Sequence, residues 1–158
     1  MRRILITLCI LSFIATAFRP ALPVSVKPVS VAEPVKLSWE TLRDVTFKKK
    51  WYAAESIYML YPTFGPGIQK LNGKVVELTG YVLPVDLEEN TYVLSAFPFS
   101  ACFFCGGAGP ESVAALKFKK NSKKFKTDER RTFRGILKLN ADNIYEMNYI
   151  LADTEVVE

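Results

Sequence analysis

Histidine is absent from this sequence of 158 residues, and cysteine occurs only three times. Histidine is the commonest metal ligand and the side chain whose ordinary pKa lies closest to neutral pH. Its absence excludes mixed cysteine–histidine zinc sites and any catalytic arrangement built on imidazole. Chemistry in this chain must therefore use thiols, carboxylates or the backbone. No carboxylate pairing is visible in the sequence, so we expect a binding or accessory protein rather than an enzyme.

Two of the three cysteines lie close together in a glycine-rich segment, residues 102–111, which has the sequence CFFCGGAGPE. The spacing of Cys102 and Cys105 leaves three interpretations open. The thiols could bind zinc or copper, with Glu111 as a helper ligand, although closed zinc sites use four ligands. They could form a redox-active disulfide, or they could be a purely structural pair. Haem attachment is excluded because Gly106 stands where that motif requires histidine.

The residues after Cys105 favour a backbone conformation that most residues rarely adopt. Gly106, Gly107 and Gly109 permit positive φ angles and close approach of the main chain to another group. Pro110 suits the first position of a helical turn, with Glu111 beside it. We expect a rigid loop around the two thiols.

The N-terminus is typical of an exported protein. Arg2 and Arg3 precede an apolar run that ends near Ala15-Thr16-Ala17, a pattern that predicts a signal peptide over residues 1–17 or, alternatively, a retained anchor. Residues 18–36 contain four prolines and predict a spacer. We expect the protein in the periplasm or associated with the membranes of the cell envelope, with Cys102 and Cys105 as its only cysteines once the signal is removed.

The third predicted segment, residues 37–158, is a mainly β domain. Ser38 can cap a short helix running through Val45. Strands are predicted at 74–85, 91–97, 113–119, 132–140 and 145–157, with Gly80 marking a bend in the first. The aromatic run 47–61 has no clear period and predicts only a flap packed on a sheet. Five strands, the first carrying a glycine, fit a small OB-like barrel, and an open sandwich is the alternative.

Positive charge is concentrated near residue 120. The segment 117–131 contains eight Lys or Arg residues and two acids, against a net charge of +5 for the chain. A solvated loop is the first interpretation; contact with an anionic membrane surface or acidic glycan is the second, and nucleic acid ranks last because of the predicted export. The side chains that would form such a surface are Lys119, Lys120, Lys123, Lys124 and Lys126.

Several blocks of the sequence resemble an uncharacterised family of exported bacterial proteins that is catalogued as a domain of unknown function. The blocks include CFFCGGAGPE at 102–111, GYVLP at 80–84, WETL at 39–42, YPTF at 61–64 and LNGK at 71–74. The resemblance spans residue 37 to the C-terminus. It implies an OB-like barrel, an envelope location and an envelope or transporter partner, since some relatives are linked to metal uptake.

The sequence thus predicts an exported binding or accessory module whose Cys-x-x-Cys loop binds a soft metal ion. A thiol–disulfide redox protein and an interaction module with a structural cysteine pair remain the alternatives.

Overall fold

The computed structural model describes residues 33–86, 91–120 and 124–157. The predicted signal peptide and most of the predicted spacer lie outside the described residues. Residues from Ala32 to Glu158 form one compact unit. In the described part of the chain, no helix is long and apolar enough to span a membrane.

The described elements are mainly strands. They are β1 (Val35–Leu37), helix α1 (Trp39–Leu42), β2 (Val45–Tyr52), β3 (Ile57–Phe64), helix α2 (Pro66–Gln69), β4 (Val75–Asp86), β5 (Thr91–Ser95), β6 (Val113–Phe118), β7 (Glu129–Leu139) and β8 (Tyr149–Val157). Three single 3₁₀ turns, Phe99–Ala101, Phe103–Cys105 and Pro110–Ser112, lie between β5 and β6. The pairing of β1 with β4 begins at Val35, inside the segment predicted to be a spacer.

Five strands close into a barrel in the order β4-β5-β6-β8-β7, and β7 pairs back onto β4. The β6–β8 pair is parallel, and the other pairs around the barrel are antiparallel. The predicted fold class, a mainly β chain with a five-stranded barrel and a short helix, is confirmed. Each of the five predicted strands is present, with differences at the ends: β5 ends at Ser95 rather than at residue 97, β7 begins at Glu129 rather than at residue 132, and β8 begins at Tyr149 rather than at residue 145.

Strand β4 makes closure of the barrel possible because it is long enough to pair with both β5 and β7. Val75–Val82 pairs with β7, whereas Tyr81–Asp86 pairs with β5. Its side chains alternate as predicted, and Val76, Leu78 and Val82 are buried. Gly80 occupies a position where a Cβ atom would come within 2.5 Å of the Ser95 carbonyl oxygen. The glycine thus permits β5 to approach β4 closely.

Helix α1 packs against the barrel, with Leu42 buried in the main hydrophobic core. Ser38 caps it by accepting a hydrogen bond from the Thr41 amide (3.2 Å), and the helix ends at Leu42 rather than continuing to Val45. The Trp39 indole Nε1 donates to the carbonyl of Thr79 (2.8 Å), and the buried Tyr149 hydroxyl donates to the carbonyl of Leu42 (2.6 Å). These two bonds join α1 to β4 and β8.

The aromatic run that the sequence left unassigned is a hairpin. Strands β2 and β3 pair with each other over their full lengths and form a separate two-stranded sheet. At its base, Phe64 contacts Tyr149 with ring centroids 5.5 Å apart. Its outer half does not pack as the predicted flap would: Trp51, Tyr58 and Leu60 are about half exposed.

Candidate functional site

The two thiols of the predicted site are brought together but lie in different environments. Cys102 has no solvent exposure and packs in a small core with Leu83, Val93, Val113 and Met147. Cys105 is exposed. Both cysteines are free thiols in this structure, and neither forms a disulfide. The pair therefore consists of one core side chain and one surface side chain.

The 3₁₀ turns fix this arrangement through the backbone. The carbonyl oxygen of Cys102 accepts hydrogen bonds from the amides of Cys105 (3.2 Å) and Gly107 (3.1 Å). Gly106 adopts a φ of 73°, a conformation that glycine takes without strain. Gly107 lies against the Ala101 carbonyl, and a Cβ atom there would be 2.7 Å from that oxygen. The predicted close approach of the main chain is therefore to the loop itself.

The electrostatics of the pair oppose thiolate formation. The pKa of the Cys105 thiol is raised by desolvation, by charge repulsion from Cys102 and by a hydrogen bond with the Cys102 side chain. A catalytic or redox-active thiol requires the opposite, a lowered pKa that supplies thiolate at neutral pH. The thiol–disulfide interpretation gains no support from this geometry.

Glu111 lies apart from the two thiols. In the described ranges, no group of three or more Cys, Asp or Glu side chains is placed to hold a metal ion. Glu111 instead lines a cavity of about 200 Å³ together with Trp39, Glu40 and Arg43. Pro110 and Glu111 begin the last 3₁₀ turn, as the sequence predicted for a helical turn. Metal binding by Cys102 and Cys105 remains a prediction.

The aromatic residues around the thiols are mostly exposed. Phe99, Phe103 and Phe104 are between one third and one half exposed, and the rings of Phe103 and Phe104 meet edge to face. They form part of the surface. Phe103 also lines an apolar hollow of about 370 Å³ shared with the hairpin and the 144–148 loop.

The basic segment is anchored by one aromatic side chain. Phe125 is buried against Tyr92 and Phe133, with ring centroids 5.3 and 5.5 Å apart. The lysines flanking it, Lys119, Lys120, Lys124 and Lys126, are exposed, as a charged surface requires. Lys123 lies outside the described residues. The segment is also tied to the cysteine loop, because the Phe99 amide donates to the Asp128 carboxylate (2.7 Å).

A wide groove crosses strands β5 and β6, and it was not predicted from the sequence. Its volume is about 750 Å³. Its apolar floor includes Val93, Ala115 and Ile150. Its polar and aromatic rim comprises Lys117, Lys119, Lys120, Tyr145 and Glu146. These residues come from three separate parts of the chain, so only the lysines carried a signal in the sequence.

Among solved structures, the chain is similar to a DUF3299 family protein from Pseudomonas aeruginosa PAO1. The TM-score is 0.49 at 15% sequence identity, and the alignment covers 80% of this chain and 97% of that one. That protein belongs to a family whose name denotes a domain of unknown function. No family model and no curated protein matches this sequence. A structural likeness of this size carries no statement about ligand or activity.

Proposed function

We propose that this protein is a non-enzymatic binding module of the cell envelope that holds an acidic oligosaccharide in the groove across β5 and β6. The observation that carries the proposal is the combination, in one groove of about 750 Å³, of three lysines with a highly exposed tyrosine over an apolar floor. Envelope location rests on the signal-like pattern of residues 1–17. The two cysteines are then outside the binding site, since neither lines this groove.

The charges of the groove favour an anionic ligand. Lys117 forms an ion pair with Glu146, which also lines the groove. Lys119 and Lys120 form no ion pair with any carboxylate in the described residues, so their charges are available to a ligand. Carboxylates on a sugar polymer would meet two unpaired ammonium groups and could compete with Glu146 for the third. Such contacts are weakened by salt because they lie at the surface.

The shape and chemistry of the groove favour a sugar over a compact anion. The Tyr145 ring is 75% exposed, and its hydroxyl donates to Glu55 (2.9 Å), which fixes one end of the side chain. An exposed aromatic ring with a fixed polar end offers a flat apolar surface for a pyranose ring. Strands β5 and β6 are the second and third strands of the barrel. In OB barrels, the face formed by these two strands binds oligonucleotides and oligosaccharides.

Binding of a defined acidic sugar tests the proposal. Calorimetric titration of the full chain with oligogalacturonate is expected to give saturable binding that weakens with added salt. Neutral maltodextrin of similar length is the control ligand, and it should bind at least tenfold more weakly. The K117Q/K119Q/K120Q variant should lose at least tenfold in affinity for oligogalacturonate.

Other ligand classes are distinguished in the same experiment. Stronger binding of poly-glutamate or of a single-stranded oligonucleotide than of oligogalacturonate would overturn the assignment to sugars. Equal binding by the wild type and the lysine variant would remove the groove from the proposal. Cys105→Ser should leave the affinity unchanged, because Cys105 lies outside the groove.

A second candidate function is soft-metal binding by the thiols, and their mutual contact favours it. The Cys102 side chain is near enough to the Cys105 thiol to raise its pKa through a hydrogen bond, and this proximity supports binding of one ion by both sulfurs. Two thiolates suit Cu(I) better than zinc, whose structural sites use four ligands. In a Cys9→Ser background under reducing conditions, one competitor-resistant Cu(I) per chain is expected, and Cys105→Ser should abolish it. Retention of the ion by that variant would contradict this function.

A further inference from the structure

We propose that the outer half of the β2–β3 hairpin, residues 48–60, docks on an anionic lipid surface. We call these residues the hairpin tip. The tip combines exposed aromatic and aliphatic side chains with three consecutive lysines: Trp51 is 54% exposed, Tyr58 62% and Leu60 49%, and Lys48, Lys49 and Lys50 are all exposed. No residue of the tip lines the groove across β5 and β6, although the Tyr145 hydroxyl at the groove rim donates to Glu55 in the turn of the tip.

The register of the hairpin places lysines and apolar side chains together on both faces. Trp51 lies opposite Tyr58, and Lys49 lies opposite Leu60, so these four share one face. Lys50 lies opposite Met59 and Tyr52 opposite Ile57 on the other face. Neither face of the tip is purely apolar or purely charged. A membrane interface, with charged head groups above acyl chains, matches such a mixture.

The lysines of the tip are not neutralised by the rest of the protein. None of the three forms an ion pair among the described residues. The ammonium groups of Lys49 and Lys50 lie over the rings of Tyr58 and Tyr61, at 5.0 and 5.1 Å from the ring centroids. The only acid of the tip, Glu55, is in the turn and accepts a hydrogen bond from Tyr145. The strands therefore present positive charge alone.

The aromatic residues fit the same partner. Trp and Tyr are enriched at membrane interfaces because one part of each ring system is apolar and another is polar. The Trp51 and Tyr58 rings meet edge to face, 5.1 Å apart, and form one apolar surface at the end of the hairpin. Lysine side chains can keep their charge among head groups while their aliphatic stems cover the rings. Charge complementarity thus favours anionic lipid.

The fluorescence of Trp51 tests the proposal locally, independently of any membrane contact by residues 1–31. The full chain is mixed with phosphatidylcholine vesicles with and without phosphatidylglycerol. We expect a blue shift of emission and quenching by brominated lipid only with phosphatidylglycerol present. The Trp51→Phe variant gives the fluorescence of Trp39 alone, which is subtracted as background. The K48Q/K49Q/K50Q variant should need at least tenfold more anionic lipid for the same shift, since each lysine contributes roughly fivefold.

A matched variant, K117Q/K119Q/K120Q, removes the same number of charges from the groove. It should keep the Trp51 response while losing oligogalacturonate binding, and the hairpin variant should show the reverse. Loss of the Trp51 response in the groove variant alone would overturn the proposal and leave the proposed function standing. A Trp51 response to pure phosphatidylcholine as large as that to anionic vesicles would also overturn it. So would a lipid-independent dimer, formed through the hairpin edges, that buries Trp51.

Discussion

The amide of Cys105 donates a hydrogen bond to the carbonyl of Cys102 (3.2 Å), yet only the Cys102 side chain belongs to the core. The two residues should therefore differ in their contribution to stability. Cys102→Ser places a hydroxyl among Leu83, Val93 and Val113, and an unsatisfied buried polar group costs about 1–3 kcal/mol. Cys105→Ser should change the free energy of unfolding by less than about 0.5 kcal/mol. Urea unfolding of both variants under reducing conditions measures the difference.

Equal destabilisation by the two substitutions would show that the thiols act as a unit, as a shared ion or a disulfide would require. The Cys9→Ser background keeps the remaining cysteine from contributing to either measurement.

The raised pKa of Cys105 predicts slow alkylation at neutral pH. Only the thiolate reacts with iodoacetamide, so the rate should rise with pH around a midpoint above the ordinary thiol value of about 8.5. Two of the three causes of the raised pKa come from Cys102. Cys102→Ala removes both, and it should lower the midpoint and accelerate the reaction at neutral pH. A midpoint below the ordinary value in the wild type would instead support thiol–disulfide chemistry.

The barrel could be predicted from the sequence because its strands have simple patterns. The burial of β4 alternates from Val75 to Val82, and the turn residues around the strand fix its limits. The hairpin could not be assigned, because β2 and β3 carry lysines and aromatics on both faces and so lack a period of two. Packing on the barrel, through Phe64 and Tyr149, decides its position, and no local pattern contains that contact.

Less of the candidate site than of the barrel could be predicted from the sequence. Spacing alone identified Cys102 and Cys105 as neighbours, but their difference in burial depends on Leu83, Val93 and Met147, which are distant in sequence. The groove assembles Lys117 with Tyr145 and Glu146 from different loops and strands. The cluster of positive charge in the sequence predicted that the lysines form a charged surface. No sequence pattern identified Tyr145 as part of a site.

Tyr149 predicts a loss of stability at alkaline pH. Burial, followed by the nearby Glu111 and Asp44 carboxylates, raises the pKa of its hydroxyl well above the ordinary value of about 10. A raised phenol pKa favours the neutral form in the folded state. The resulting contribution to the unfolding free energy is fully present below about pH 10. It is lost above that pH as Tyr149 in the unfolded chain releases its proton.

Tyr149→Phe should therefore flatten the decline in unfolding free energy above pH 10. It should also cost about 1–3 kcal/mol at neutral pH, because the Leu42 carbonyl loses its buried donor. Denaturant unfolding across pH measures both effects. Tyr58→Phe, on the exposed hairpin, is the control, and at neutral pH it should change the unfolding free energy by less than about 0.5 kcal/mol. Unchanged stability of Tyr149→Phe at neutral pH would contradict the role of this bond.

The position of Gly80 in β4 predicts that any side chain there would interfere with closure of the barrel. A Cβ atom would lie 2.5 Å from the Ser95 carbonyl oxygen and 2.9 Å from Leu94 Cγ. The oxygen belongs to the backbone of β5 and cannot rotate away, so β5 must shift. Gly80→Ala should cost about 3 kcal/mol, the upper end of the range for an overpacked core. Thermal and urea unfolding measure this loss.

Gly106 supplies the matched comparison, because it has a positive φ but no neighbouring atom within 4 Å of its Cβ position. Asparagine tolerates that conformation, so Gly106→Asn should cost less than about 1 kcal/mol. If Gly80→Ala were as stable as the wild type, the close approach of β4 and β5 would be wrong. If Gly106→Asn were the more damaging variant, the cysteine loop rather than the β4–β5 contact would limit the stability of the barrel.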